Sequence, residues 1–199
     1  MTPPHDDAIR AALEQARTTL DAFLADPALI SAVGEFAAMC QATLEAGGKL
    51  MACGNGGSMC DAMHFAEEWT GRFQGARSAL PAMAFSDPGQ LSCISNDFGY
   101  EEVFARSLQA HGREGDLLVC LSTSGNSPNT VRALEEARRM GIPSVALLGK
   151  DGGQMRALAD VAIVVPLAET SDRIQELHIK VLHACIEAVE RAMFPGNYE

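Results

Sequence analysis

At 199 residues, with 26 acidic against 15 basic side chains and a formal net charge of −11, the chain is one domain's length and strongly acidic. It lacks the basic footprint of a general nucleic-acid binder, so no nucleic-acid partner is expected. A phosphorylated small molecule stays open, because a helix N-terminus holds a phosphate with backbone N–H groups whatever the total charge.

Hydrophobic residues make up 47% of the chain and aromatics 6%, which predicts a sizeable and mainly aliphatic core. No run of about 18 apolar residues is free of charge, and the start from Met1 to Asp7 has no basic segment leading into an apolar one. Neither a membrane partner nor a secretory leader is expected. The six cysteines (Cys40, Cys53, Cys60, Cys93, Cys120, Cys185) are scattered, with no Cys-x-x-Cys pair. Buried free thiols in a cytoplasmic, reducing setting fit this better than a disulfide framework or a thiolate zinc site.

From Ala8 to Leu24, apolar residues at Ile9, Leu13, Ala16, Leu20 and Phe23 predict an amphipathic helix with a narrow seam, packed on a partner helix or on the chain's own sheet. Asp26-Pro27 breaks it, and a second helix runs to about Ala46 before Gly47-Gly48. Short apolar runs then follow at Leu50–Cys53, Ala82–Phe85, Leu117–Leu121, Val145–Leu148 and Val161–Val165. Helical stretches lie between most of them, clearest over Pro128–Met140, and a last helix spans about Thr170–Met193. Continuous apolar runs joined by crossover helices predict an α/β fold: a five-stranded, mainly parallel sheet with helices on both faces. The chain reads as a single domain over residues 1–199, with 1–48 as a helical arm.

Two loops follow predicted strands and precede predicted helices. The first is Gly54-Asn55-Gly56-Gly57-Ser58, where glycines permit a tight turn and Ser58 is placed to cap the helix or bind an anion. The second is Ser122-Thr123-Ser124-Gly125-Asn126-Ser127, with Pro128 suited to the first helical turn. Ordinary turn chemistry explains either one alone. Two at corresponding strand ends point to a neutral phosphate cradle beyond the carboxyl edge of the sheet.

The helix after the first loop carries His64 and Glu68, four apart and so on one face. A surface ion pair explains that spacing, but Met63, Phe65 and Trp69 argue for a closely packed helix where such a pair is costly unless used. The last helix carries Asp172, Gln175, His178 and His183, and a stripe of Glu176, Lys180, His183 and Glu187 that reads as a solvated face. Two imidazoles with a carboxylate and an amide oxygen suit a borderline divalent ion such as zinc. Gln175 and His183 are about 12 Å apart along a straight helix, so sharing one ion requires a bent helix start or ligands from different subunits. The strand order is expected to carry Glu68 and His183 to the carboxyl edge, beside the loops.

Together, Cys53-Gly54-Asn55-Gly56-Gly57-Ser58, Asp61-Ala62-Met63-His64-Phe65-Ala66-Glu67-Glu68, Asn96-Asp97, Ser122-Thr123-Ser124-Gly125-Asn126-Ser127 and Arg173-Ile174-Gln175-Glu176 resemble the bacterial phosphoheptose isomerases, sugar isomerase (SIS) domain enzymes. The resemblance covers nearly the whole chain. It implies conversion of sedoheptulose 7-phosphate to D-glycero-D-manno-heptose 7-phosphate, at the head of the ADP-heptose route to lipopolysaccharide. It places substrate at Asn55, Gly56, Gly57, Ser58, Glu68, Asn96, Asp97, Ser122, Thr123, Ser124, Ser127 and Gln175. It places one zinc ion per subunit at His64, Glu68, Gln175 and His183, with Glu68 and His183 as the proton-transfer pair. It further implies a cytoplasmic homotetramer with active sites between subunits. Met59 departs from the histidine some members carry, which touches no matched ligand. The rival reading is a non-catalytic SIS-fold module that binds the replication initiator protein. Thr123-Ser124-Gly125, Glu68 and His183 favour the enzyme.

Overall fold

The computed structural model describes residues 5–199. Residues 1–4, where the arm begins and where the leader was expected to be missing, lie outside them. Helix α1 (Asp6–Leu24) opens on Asp6 and Asp7, whose charges favour a helix N-terminus. Its seam divides. Thr19 and Phe23 are buried in the chain's own core, while Ile9 and Leu13 are 56% and 66% exposed. In α2 (Pro27–Glu45) the Asp26 carboxylate caps Ala28 N, and Pro27 sits where its missing N–H costs nothing. By length and composition α2 is apolar enough to cross a membrane. Here its Phe36 and Cys40 are fully buried, and it packs on α7 (Ser171–Met193) and β5 (Val161–Val164).

The remaining elements are β1 (Leu50–Gly54), α3 (Gly57–Thr70), β2 (Ala82–Ala84), α4 (Pro88–Phe98), α5 (Val103–His111), β3 (Leu117–Ser122), α6 (Pro128–Met140) and β4 (Ser144–Leu148). All five strands pair in parallel, in the order β2-β1-β3-β4-β5. The predicted strands stand within a residue of these bounds. Between β4 and β5 the crossover is made by one short 3-10 turn, Gln154–Ala157, rather than a helix.

Strand periodicity splits the core in two. Leu50 and Ala52 of β1, with Leu117, Val119 and Leu121 of β3, face a layer built by α1, α2, α3 and α7. Met51 and Cys53, with Leu118 and Cys120, face α4, α5 and α6. Both faces are covered, so each strand reads as an unbroken apolar run. Fully buried side chains such as Phe36, Phe65 and Trp69 each stabilise the fold by about 1.5–3 kcal/mol. The chain leaves β1 toward β2 and returns past it to β3, which makes the β1–β3 gap the topological switch point where open α/β sheets bind ligands.

Candidate active site

Both loops predicted to hold phosphate end on that gap, after β1 and β3. The first turns through Gly56 at φ +55, the residue before α3. Ser58 is therefore not the cap. It lies inside the first turn, buried, with its N–H bonded to Asn55 O at 3.0 Å. A Cβ on Gly57 would meet the Gln175 amide at 2.7 Å, so Gln175 stands against this loop. The Asn55 amide exchanges two 2.8 Å hydrogen bonds with buried Asn129, in the first turn of α6, and accepts a third from Tyr100 Oη at 3.0 Å. One side-chain cluster thus ties the two loops together. Tyr100 follows α4, whose last turn holds Asn96 and Asp97, bonded to each other at 2.8 Å and exposed.

The second loop is held by its own hydroxyls. Ser122 Oγ lies 3.2 Å from Ser127 Oγ and accepts Gly125 N–H at 3.2 Å, while Ser124 Oγ accepts Asn126 N–H at 3.2 Å. Thr123 Oγ1 lies 3.2 Å from Ser171 Oγ at the start of α7. Gly125 sits at φ +63, and a Cβ there would stand 1.9 Å from Gly152 O, so only glycine fits. Ser127 and Pro128 open α6 as the sequence suggested.

The ionisable candidates gather elsewhere. His64, Glu68 and His183 offer ligand atoms all within 4.8 Å of one another, a group able to hold a metal ion. His64 Nε2 lies 2.9 Å from His183 Nε2 and 3.3 Å from Glu68 Oε1, and His64 Nδ1 lies 2.8 Å from Glu67 Oε1. With its Nδ1 on Glu67, His64 turns Nε2 toward His183 Nε2 and the Glu68 carboxylate. A cation relieves that crowding, and an outer carboxylate on the far ring nitrogen is the usual support of a metal-ligating histidine. Burial and the neighbouring His64 lower the His183 imidazole below its ordinary value, against the pull of Glu68. Asp61, one turn before His64, has Oδ2 buried without a partner. Burial pushes its carboxyl up to about 6, with His64 opposing.

This cluster is not at the carboxyl edge, contrary to expectation. Helix α3 begins there and runs antiparallel to the strands, so Glu68 is three turns in, about 16 Å along the axis from Gly57. His183 is likewise more than three turns into α7, which is one uninterrupted helix from Ser171 to Met193. Gln175 stays with the first loop. Within one chain the predicted site is therefore two half-sites: loops, Asn55 and Gln175 in one, His64, Glu68 and His183 in the other. The other two α7 candidates are engaged elsewhere: His178 is fully buried with Nε2 on Leu148 O at 3.0 Å, and Asp172 pairs with Arg173 at 2.9 Å. Glu176 and Glu187, read as a solvated face, pair with Arg173 and Arg191 at 2.7 Å.

The SIS domain family model matches residues 13–149. The phosphoheptose isomerase of Edwardsiella ictaluri is 53% identical over 189 residues, which are 95% of this chain and 98% of that protein. The chain belongs to the phosphoheptose isomerase family. The enzyme of that name from Photorhabdus laumondii is 52% identical over the same shares. Among solved structures, the phosphoheptose isomerase GmhA of Neisseria gonorrhoeae superposes with a TM-score of 0.86 at 36% identity, covering 92% of this chain and 97% of that one. The Francisella tularensis family member gives 0.87 at 30% identity, over 93% and 97%. Membership makes the chain an isomerase, and the initiator-binding alternative is not favoured.

Sequence reasoning missed Glu67, Asn129 and Tyr100. The His-x-x-Glu spacing of His64 and Glu67 was a usable signal. Asn129 and Tyr100 meet Asn55 from 74 and 45 residues away, and no local pattern marks them.

Proposed function

We propose that the chain interconverts sedoheptulose 7-phosphate and D-glycero-D-manno-heptose 7-phosphate, at the head of the ADP-heptose route to lipopolysaccharide. The meeting of Glu68 with two imidazoles at the α3–α7 crossing carries this reading. Moving the carbonyl from C2 to C1 removes a proton from C1 and delivers one to C2, through an ene-diolate. Glu68 takes the first proton and His183 gives the second, with roles reversed on return. The hydroxyls and N–H groups of the two loops, with Asn55, Asn96 and Asp97 at their rim, hold the phosphate and sugar. His64, Glu68 and His183 fit zinc, which when bound supplies Lewis-acid polarisation of the carbonyl.

A heptose phosphate is too short to span about 16 Å of helix, so each cradle is completed by the acid-base cluster of another subunit. Gln175 then serves as fourth metal ligand across that boundary. We read the assembly as a homotetramer, a reading supported by exposed Ile9, Leu13, Leu24 and Ile30, which offer apolar contact area. The whole chain acts as one SIS domain with residues 1–48 as its arm. Six free cysteines support a cytoplasmic setting.

Incubating the protein with sedoheptulose 7-phosphate and measuring aldose formation tests the reaction. Mixing Glu68→Gln with a cradle variant such as Gly125→Val tests the sharing. Inactive parents should regain about a quarter of wild-type activity as hybrids, the fraction of boundaries joining two intact halves. Hybrids with no activity would place the site within one chain.

A further inference from the structure

Just beyond the acid-base cluster lies a buried charge pair. Arg77, in the segment after α3, and Glu190, two turns past His183 on α7, both have fully buried side chains. Arg77 Nε donates to Glu190 Oε1 at 2.7 Å. One terminal nitrogen donates to Glu68 O at 2.7 Å, and the other to Trp69 O at 2.8 Å and Ser78 O at 3.2 Å. The second Glu190 oxygen accepts from Tyr198 Oη at 2.7 Å and from Gln74 N at 3.3 Å. Burial pushes the Glu190 carboxyl up, but the bonds from Tyr198 and Arg77 outweigh it and hold the group below its ordinary value.

The last carbonyls of a helix have no partner within it, and α3 ends at Thr70. Capping alone needs only water or a flexible lysine. Here a rigid guanidinium fork grips the backbone of Glu68 itself, and its counter-ion belongs to the helix that carries His183. The pair therefore spans the two helices whose side chains must meet.

We propose that Arg77 and Glu190 are positioning residues for the proton-transfer pair: they fix the backbone of Glu68 against α7, and so the separation of Glu68 from His183. This rests on the assignment of those two residues as base and acid. A shift of about 1 Å at a reacting group costs about 10²-fold in rate.

The test is steady-state isomerisation of sedoheptulose 7-phosphate by the zinc-loaded full chain. In Arg77→Met/Glu190→Met the pair is replaced by apolar side chains of similar length, an exchange buried ion pairs often tolerate without loss of stability. The expected result is a folded protein with kcat down about 10–100-fold and KM unchanged, because Arg77 and Glu190 touch none of the loop residues that hold the phosphate. Arg77→Lys keeps the charge but cannot grip both carbonyls, and should lose kcat in the same way; it carries the test if the double variant does not fold. A folded variant with wild-type kcat, or one whose KM rises along with the fall in kcat, overturns the proposal. Glu68→Gln run alongside separates the two failures. If it is inactive while Arg77→Lys is fully active, only the positioning role falls. If it is fully active, the acid-base assignment falls and the positioning role with it.

Discussion

The amino edge of the sheet and the α3–α7 pair handle buried polar groups in opposite ways. At the amino edge, Asp116 accepts Lys49 N at 2.9 Å and Arg113 N at 2.8 Å, and pairs with the Lys49 ammonium. Asp160 likewise accepts Ser144 N at 2.7 Å and Ser144 Oγ at 3.1 Å. These carboxylates fasten the starts of β3 and β4 and are completed within the chain. On α3 and α7 the accounts stay open. Asp61 Oδ2, Trp69 Nε1 and His178 Nδ1, the buried side-chain polar atoms without a partner among the described residues, all lie on these two helices. So do the two imidazoles that crowd Glu68. Polar groups the chain satisfies by itself hold the fold. Of the open ones, Asp61 Oδ2 lies one turn from His64 and the acid-base candidates, whereas Trp69 Nε1 and His178 Nδ1 belong to fully buried side chains.

The largest effect should separate these regions by chemistry. Glu68→Gln keeps size and hydrogen bonding but cannot take a proton, so kcat should fall about 10²–10⁴-fold, or about 3–5 kcal/mol of barrier. His183→Gln should match it, and the double variant should be little worse than either, since the pair acts as a unit. Thermal unfolding should stay near wild type. Near-wild-type turnover in folded Glu68→Gln protein would put α3 in the same purely structural class as the amino edge.

Asp116→Ala should do the reverse. It strips two backbone donors and a lysine of their acceptor, which should cost about 3 kcal/mol in urea unfolding and leave kcat unchanged. A loss of turnover without loss of stability would show that the amino edge communicates with the site.

The fold was largely legible because its signals are local. Strands covered on both faces read as apolar runs, and Asp26-Pro27, Ser127-Pro128 and Gly141 punctuate helices within a few residues. The residue types that meet in the candidate site were legible for the same reason, through His64 and Glu68 on one helical face. Its layout was not. Gly57 and Glu68 are neighbours in sequence, yet the helix between them carries one half-site away from the other. The supporting pairs join distant positions, 113 residues apart for Arg77 and Glu190. Nothing local marks either residue, since each looks like an ordinary surface charge until the fold buries it.

His178 sharpens the comparison through pH. Burial pushes its imidazole down to about 4, against the upward pull of its bond to Leu148 O, while the unfolded value is about 6.5. The unfolded chain therefore binds this proton first as pH falls, and the neutral-His contribution to stability is lost from about pH 6.5 toward pH 4. Between pH 7 and pH 5 the loss from this one group should be about 2 kcal/mol. The difference in that pH slope between wild type and His178→Phe, measured by urea unfolding, isolates it. Equal slopes would mean that His178 is not held neutral, and that its open nitrogen finds a proton or a water.

The smallest effect tests the cradle. Ser124 stands in the second loop with its Oγ turned to Asn126 N–H, and the loop already has its final shape through the Ser122–Ser127 contact and Gly125. Ser124→Ala should therefore leave the loop in place and remove one hydrogen bond to the phosphate. In the proposed cradle that bond is the same in ground and transition states, because the phosphate takes no part in the proton transfers. KM should rise about tenfold, or about 1.4 kcal/mol, at unchanged kcat. Lys150, the exposed cation in the turn after β4, gives the control. If hydroxyls and backbone N–H groups hold the phosphate, Lys150→Ala should move KM less than Ser124→Ala does. The opposite ranking would mean that this edge recognises its anion by charge rather than by a preformed neutral loop.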